Sequence, residues 1–369
     1  MNLQFSLYLD IIRFLAAVLV VLAHANASYL TSNELPLSSH GHFAVVVFFV
    51  LSGYVIAYIT DIKEKNISLY WSSRLSRIYS VALPVIILTP LLDYFGHSFA
   101  TTPVIYADSA SDFWPIRILA SLFFLNEIWF NSIMSFSNAP YWSLCYEMSY
   151  YFIFSLMIFL KGKVRFWSIT ISCLIIGPKI LLLFPVWLTG VYLHKSKRLN
   201  VQSLITGWLL FIGSLLALIF WEYMKITWQL SIFLKTLVGA EFHKQLAFSK
   251  FFIGDWVVGI LILLNFTGFR TIGSQFASIL DPFKHIIRYA ASFTLTLYLF
   301  HQPLLRFYAA LIAGEEGNIY FFWQTIIATL LTVFLLGLLT EHRRDSMRQW
   351  LRKKLTKLEK MAIMQRILT

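Results

Sequence analysis

The sequence predicts an all-α polytopic membrane protein, with about ten transmembrane helices in one bundle of roughly 20-residue spans. Three observations predict it. The chain of 369 residues is 58% hydrophobic and only 13% charged, whereas soluble domains average about 45–50% apolar and about 25% charged. Its mean hydropathy is +0.70. The apolar residues fall in long runs separated by short polar loops. That much apolar surface exceeds what one core buries, so a soluble enzyme, a disordered chain and a disulfide scaffold are excluded. Cys145 and Cys173, both in apolar context, make no disulfide framework.

Ten segments have the length and apolarity of spans, some of them short: Ile11–Ser28, Phe43–Ile59, Ser80–Phe95, Tyr146–Leu160, Phe166–Gly177, Ile180–Leu193, Leu204–Trp221, Phe251–Phe269, Tyr289–Ala313 and Ile319–Thr340. The first lacks a basic leader and a small-residue cleavage site, so it reads as a retained span. An eleventh stretch, Phe113–Phe130, is interrupted by Arg117, Asn126 and Glu127, and Thr227–Phe248 carries Lys235, Glu241 and Lys244.

Loop charge orients the bundle. The segments 29–42, 93–112 and 314–318 hold no Lys or Arg, while 60–79 holds four and 161–165, 195–198 and 269–288 hold three each. From Glu341 to Thr369 nine Lys/Arg stand against three Asp/Glu, so this stretch carries half of the net charge of +12. Basic loops stay in the cytoplasm, and basic juxtamembrane segments also meet anionic headgroups. The alternation places both termini in the cytoplasm and requires that 113–130 not cross fully. It reads as a re-entrant or interfacial element, tolerated at membrane depth where it lines a cavity. The expected organisation is a membrane domain over 1–340 and a basic cytoplasmic tail over 341–369, with nothing that calls for nucleic acid.

Ionisable residues inside spans are costly and mark functional sites. Arg13 and His24 lie eleven residues apart, so on a helix they share a face about 16 Å apart. With Asp10 one turn earlier they form a polar track, although Arg13 also suits a snorkelling role and His24 a packing hydrogen bond. At the entry to the third span, Arg74 and Arg77 stand at i, i+3. Their guanidinium forks suit phosphate oxygens, as they suit topological anchoring. The run Pro140-Tyr-Trp142-Ser143-Leu144-Cys145-Tyr146-Glu147 sets a carboxylate at the start of the fourth span, where it also complements the helix dipole. A second mid-span histidine, His301, follows Tyr298 and precedes Pro303. The remaining histidines fall in loops or near span ends. No metal, nucleotide-loop or dinucleotide motif is present.

These residues resemble the acyltransferase-3 family of integral membrane acyltransferases. The matching features are the Arg13-x10-His24 pair within Tyr8-Leu9-Asp10-Ile-Ile-Arg13, the run Val47-Phe48-Phe49-Val50-Leu51-Ser52-Gly53-Tyr54, the Arg74/Arg77 pair, the Pro140/Trp142/Ser143/Leu144/Glu147 motif, and Tyr298 with His301 and Pro303. Many members carry a second glutamate where this chain has Met148, and a proline where it has Ser80. The hydrolase-like domain fused to some members is not seen here, so a partner protein in its place is one expectation.

The resemblance implies an O-acyltransferase of the bacterial cytoplasmic membrane. Its donor is a cytosolic acyl-coenzyme A, usually acetyl-coenzyme A, and its acceptor a hydroxyl of a cell-surface or lipid-linked glycan. Catalysis then falls to His24, Arg13 and Glu147, and donor binding to Arg74 and Arg77. Asp10, Trp142, Ser143, Tyr298 and His301 orient the reactants, and no metal is involved. His24 acts as general base or as transient acyl carrier. A transporter or flippase for a lipid-linked sugar also lines a bundle with polar residues, but no inverted repeat is visible here.

Overall fold

The computed structural model describes residues 1–32 and 35–368, apart from the side chains of 360 and 362–368. Asn33 and Glu34 of the loop expected to lack basic charge, and Thr369 of the expected basic tail, lie outside the described residues. Sixteen α-helices follow one another: α1 (Leu3–Ala25), α2 (Gly41–Ile62), α3 (Ile67–Phe99), α4 (Trp114–Leu122), α5 (Trp142–Phe159), α6 (Gly162–Ile176), α7 (Pro178–Lys195), α8 (Leu204–Tyr223), α9 (Ile226–Val238), α10 (Ala240–Gln245), α11 (Phe252–Ile272), α12 (Ala277–Leu280), α13 (Lys284–Ala291), α14 (Thr294–Ile312), α15 (Ile319–Leu339) and α16 (Arg344–Leu368). No strand forms among the described residues.

Each expected span corresponds to a helix: α1, α2, α3, α5, α6, α7, α8, α11, α14 and α15 in turn. Among the described residues six helical segments are both long and apolar enough to cross a membrane, namely Leu3–Ala25, Ser38–Ile62, Ile67–Phe99, Leu204–Tyr223, Ala247–Leu280 and Ile319–Glu359. The helices α5, α6, α7 and α14 are shorter or more polar. Among them, α5 and α14 spend that polarity on the site described below.

The third helix begins earlier than its apolar run. Asn66 accepts a hydrogen bond from the Leu69 amide at 2.9 Å and caps a continuous 33-residue helix, about 50 Å long. Arg74 and Arg77 therefore lie inside α3 rather than in a loop before it. In the expected re-entrant stretch, α4 has only nine residues, too few to cross. The backbone beyond it is irregular, with Phe124, Trp129 and Phe136 in the left-handed region.

Internal partners hold this stretch among the helices. Fully buried Lys179 pairs with Glu127 at 2.5 Å. Asn126 donates to the Ile133 carbonyl at 2.7 Å, and Asp93 accepts from the Ser137 amide at 2.9 Å and from its hydroxyl at 2.5 Å. The segment 227–248, left open by the sequence, forms α9 and α10 broken at Gly239, whose φ is +84°.

The basic segment after 340 is not a free tail. Glu341 accepts from the Thr296 amide and hydroxyl at 3.1 and 2.8 Å, closing the start of α14. The helix α16 packs along α3, where Ser68 donates to Glu359.

At the centre, α2 and α7 meet backbone to backbone. A Cβ on Gly53 would lie 2.0 Å from the Trp187 carbonyl oxygen, and one on Gly190 would lie 2.0 Å from that of Val50. Both helices would have to part to admit a methyl group. Overpacking of this kind costs about 1–3 kcal/mol. Gly53→Ala and Gly190→Ala are each expected to lower the melting temperature of detergent-purified protein, whereas Gly213→Ala, which meets no neighbour, is not.

Candidate active site

Two cavities lie one above the other between α1, α2, α5 and α14. The first, about 60 Å³, is lined by Arg13, Ser52, Arg77, Ser143, Glu147 and Tyr298 among apolar residues of α2. The second, about 210 Å³, is lined by His24, His42, Pro140, Trp142 and Tyr298. Val45 and Tyr298 belong to both walls, so one residue of α2 and one tyrosine of α14 divide them.

In the first cavity, Arg13 pairs with Asp10 at 3.0 Å one turn below it. Glu147 accepts from the Ser52 hydroxyl at 2.6 Å and from the Tyr151 hydroxyl, and Trp187 donates to Ser52 at 3.2 Å. The ionisable groups acting on Arg77 are Tyr151, Glu147, Glu341 and Asp10. Its guanidinium makes no hydrogen bond or ion pair among the described residues. A half-buried cation facing a cavity in this way suits an anionic ligand.

Arg74 is placed differently. Residues at i and i+3 stand about 60° apart around a helix, and this is enough to separate the pair. Arg74 is 3% exposed, ion-paired with Glu64, hydrogen-bonded to the Thr60 hydroxyl at 3.3 Å and stacked 4.2 Å above the Tyr70 ring. It lines neither cavity.

At the wall of the second cavity His24 meets the other mid-span histidine, buried His301, 277 residues away in sequence. His301 Nε2 lies 3.1 Å from His24 Nδ1. Each Nδ1 also contacts a carbonyl one turn back, Val20 for His24 and Leu297 for His301, both at 2.9 Å. A carbonyl only accepts, so each Nδ1 carries the proton. It follows that His301 Nε2 offers a lone pair to His24 Nδ1–H, and that His24 Nε2 keeps its own lone pair free. The arrangement is an oriented base: two acceptors stand ready for the charge that forms when Nε2 takes a proton.

The remaining expected residues hold this geometry. The Ser143 hydroxyl is 2.7 Å from that of Tyr298 and donates to the Pro140 carbonyl at 3.1 Å. Trp142 stacks on Phe248 with centroids 4.2 Å apart. Pro303 cannot donate to the Leu299 carbonyl, and Asn138 does so in its place at 2.8 Å. With the Ala139 amide bonded to Gln302 at 2.8 Å, this docks the start of α5 beside His301.

Several partners escaped sequence reasoning. Ser52 stood in a quoted motif without a role. Asn138 carried no signal, and neither did Arg306, which is 4% exposed and donates to the Ile105 carbonyl at 2.9 Å. His42, set aside as a span-end histidine, pairs with buried Asp255 at 3.0 Å. No group of residues able to hold a metal occurs among the described residues.

The helical bundle thus encloses an oriented histidine above an arginine that faces a cavity with Glu147 beside it. The chain belongs to the acyltransferase-3 family, whose acyltransferase domain model matches residues 6–341. It is similar to the peptidoglycan O-acetyltransferase OatA of Listeria monocytogenes, at 29% identity over 212 residues. That alignment covers 50% of this chain and 29% of the relative, so the chain spans less than a third of the relative's length. No solved structure matches the chain.

The surroundings of the two arginines of α3 are expected to differ in their weight for stability. Glu64→Gln leaves Arg74 buried without its counter-charge, and breaking such a pair costs about 3–5 kcal/mol. Thermal unfolding in detergent checks this. Arg77→Gln is expected to leave the melting temperature close to that of the wild type.

Proposed function

We propose that the protein moves an acyl group, acetyl in the first instance, from cytosolic acyl-coenzyme A to a hydroxyl of a cell-surface or lipid-linked glycan. The observation that carries this reading is the stacking of an arginine cavity below a histidine cavity within one family-defined fold. The loop charges support a cytoplasmic membrane protein with both termini inside, so the arginine cavity opens toward the cytosol. The relative's O-acetyltransferase name supports a hydroxyl acceptor and an acetyl group.

Arg77, assisted by Arg13, receives the phosphates of coenzyme A, since guanidinium groups hold phosphate oxygens by paired charge-assisted bonds. Arg74 serves the donor through structure: with Glu64 it fixes the start of α3. Glu147, held by Ser52 and Tyr151, keeps a counter-charge beside the two arginines. The acceptor hydroxyl approaches His24 Nε2, which takes its proton as the oxygen attacks the thioester carbonyl. The carbon–sulfur bond breaks, and the coenzyme A thiolate recovers the proton from His24. His301 acts as a positioning residue, its lone pair steadying the His24 imidazolium through Nδ1–H. Asp10 orients Arg13, while Trp142, Ser143 and Tyr298 shape the passage between the cavities. A partner protein remains a proposal for glycans that this chain alone does not reach.

The test is proton NMR of the isolated envelope glycan from cells carrying the gene, lacking it, or carrying His24→Ala at matched membrane levels. Loss of general base catalysis is worth about 10²–10⁴-fold, so acetyl resonances are expected to disappear in the last two strains. Identical spectra in all three strains would overturn the reading and favour a transporter.

A further inference from the structure

The segment between α8 and α11 has no part in the mechanism above, yet it is built around two further cavities. The first, about 400 Å³, is lined by His42, Glu222, Lys225, Trp228, Phe251 and Asp255. It shares Ser39 and His42 with the cavity of His24. The second, also about 400 Å³, shares Trp228 and Phe251 with the first and is lined by Lys235, His243, Lys244 and Lys250. Three cavities thus run in line from His24, past the His42–Asp255 pair, to a cluster of lysines.

Their walls have the chemistry of a carbohydrate groove. Asp255 is 1% exposed and is held by His42 at 3.0 Å, which leaves a carboxylate and an imidazole fixed at the junction with the His24 chamber. Trp228, 56% exposed, stacks on buried Phe251 with centroids 5.2 Å apart, which fixes its outer face as a platform for the apolar face of a sugar ring. Lys250 stands 5.2 Å over the Phe251 ring.

Charge gives the second, independent argument. On the topology proposed above, residues 222–250 lie outside, where loops are poor in Lys and Arg. This segment nevertheless carries Lys225, Lys235, Lys244 and Lys250 against Glu222 and Glu241. Topology does not account for that surplus, whereas an anionic ligand does.

We infer that these linked cavities are the acceptor groove: they seat several residues of an anionic glycan strand on the Trp228–Phe251 platform, with Lys235, Lys244 and Lys250 holding its negative groups and the reacting sugar delivered past His42–Asp255 to His24. The inference rests on the acyltransferase reading. It gives α9 and α10 a function, and it makes the acceptor a charged polymer rather than a small alcohol.

The test uses the full chain in cells lacking the gene, complemented with wild type, Trp228→Ala, Trp228→Tyr or the triple variant Lys235→Gln/Lys244→Gln/Lys250→Gln at matched levels. Base-released acyl groups on the envelope glycan are measured, together with binding of coenzyme A to the purified proteins. Trp228→Ala and the triple variant are expected to lower glycan acylation about tenfold or more, equivalent to about 1.4 kcal/mol. Coenzyme A binding should stay within about twofold of wild type, and Trp228→Tyr should recover most of the acylation. Acylation within about twofold of wild type in both variants would overturn the groove. An effect of Trp228→Ala alone would overturn the anionic acceptor, and parallel loss of coenzyme A binding would overturn a subsite role. If the wild-type gene itself adds no acyl groups and its product binds no coenzyme A, the acyltransferase reading fails first.

Discussion

The site depends on a backbone carbonyl that proline leaves without its helical donor. Pro303 removes the bond to Leu299 in the middle of α14, where Leu299 is fully buried from solvent, and Asn138 supplies the missing donor. That bond, with the one from the Ala139 amide to Gln302, brings Pro140, Trp142 and Ser143 against Tyr298 and sets the start of α5 beside the histidines. The irregular backbone of 123–138 is tolerated for the same reason. Its polar groups find Lys179, Asp93 and, through Ser135 and Asn126, the Ser121 hydroxyl rather than lipid.

Within that frame, the four arginines of interest divide by the partners they are given. Arg74 is consumed by Glu64 and Tyr70, and Arg306 by the Ile105 carbonyl. Arg13 is half-committed to Asp10, and Arg77 makes no hydrogen bond or ion pair among the described residues, with Tyr151 and Glu147 near it. A buried pair fixes structure, and an unpaired cation facing a cavity awaits an anion. The same logic separates the histidines. His301 is oriented by its own helix and lends its lone pair to His24, whose remaining nitrogen faces the chamber. His42 is held by a carboxylate at the doorway between chambers.

Much of the bundle was legible in the sequence because membrane spans are read from length and apolarity alone. The ten apolar runs became ten helices, and the interrupted run at 113–130 became a short helix with irregular backbone, as Arg117, Asn126 and Glu127 foretold. Pairwise geometry was not legible. Nothing local says that His24 meets His301, that Asn138 answers Pro303, or that Arg74 and Arg77, one turn apart, face different surroundings. The first two depend on partners more than a hundred residues away and the third on helix rotation toward Glu64, none of which periodicity encodes. The start of α3 was misplaced because polar residues such as Arg74 and Ser76 interrupt its apolarity without interrupting its helix. The contacts of the last segment, Glu341 with Thr296 and Glu359 with Ser68, join residues far apart in sequence and leave no local signal.

The account places donor and acceptor on opposite faces of one bundle, with His24 between them, and sidedness tests this most directly. Sealed vesicles of either orientation would be prepared from cells making the protein and given acetyl-coenzyme A labelled in the acetyl group, which does not cross the bilayer. Label should appear on the glycan only in inverted vesicles, where the Arg77 cavity faces the added donor. Equal labelling in right-side-out vesicles that remain sealed would contradict the account.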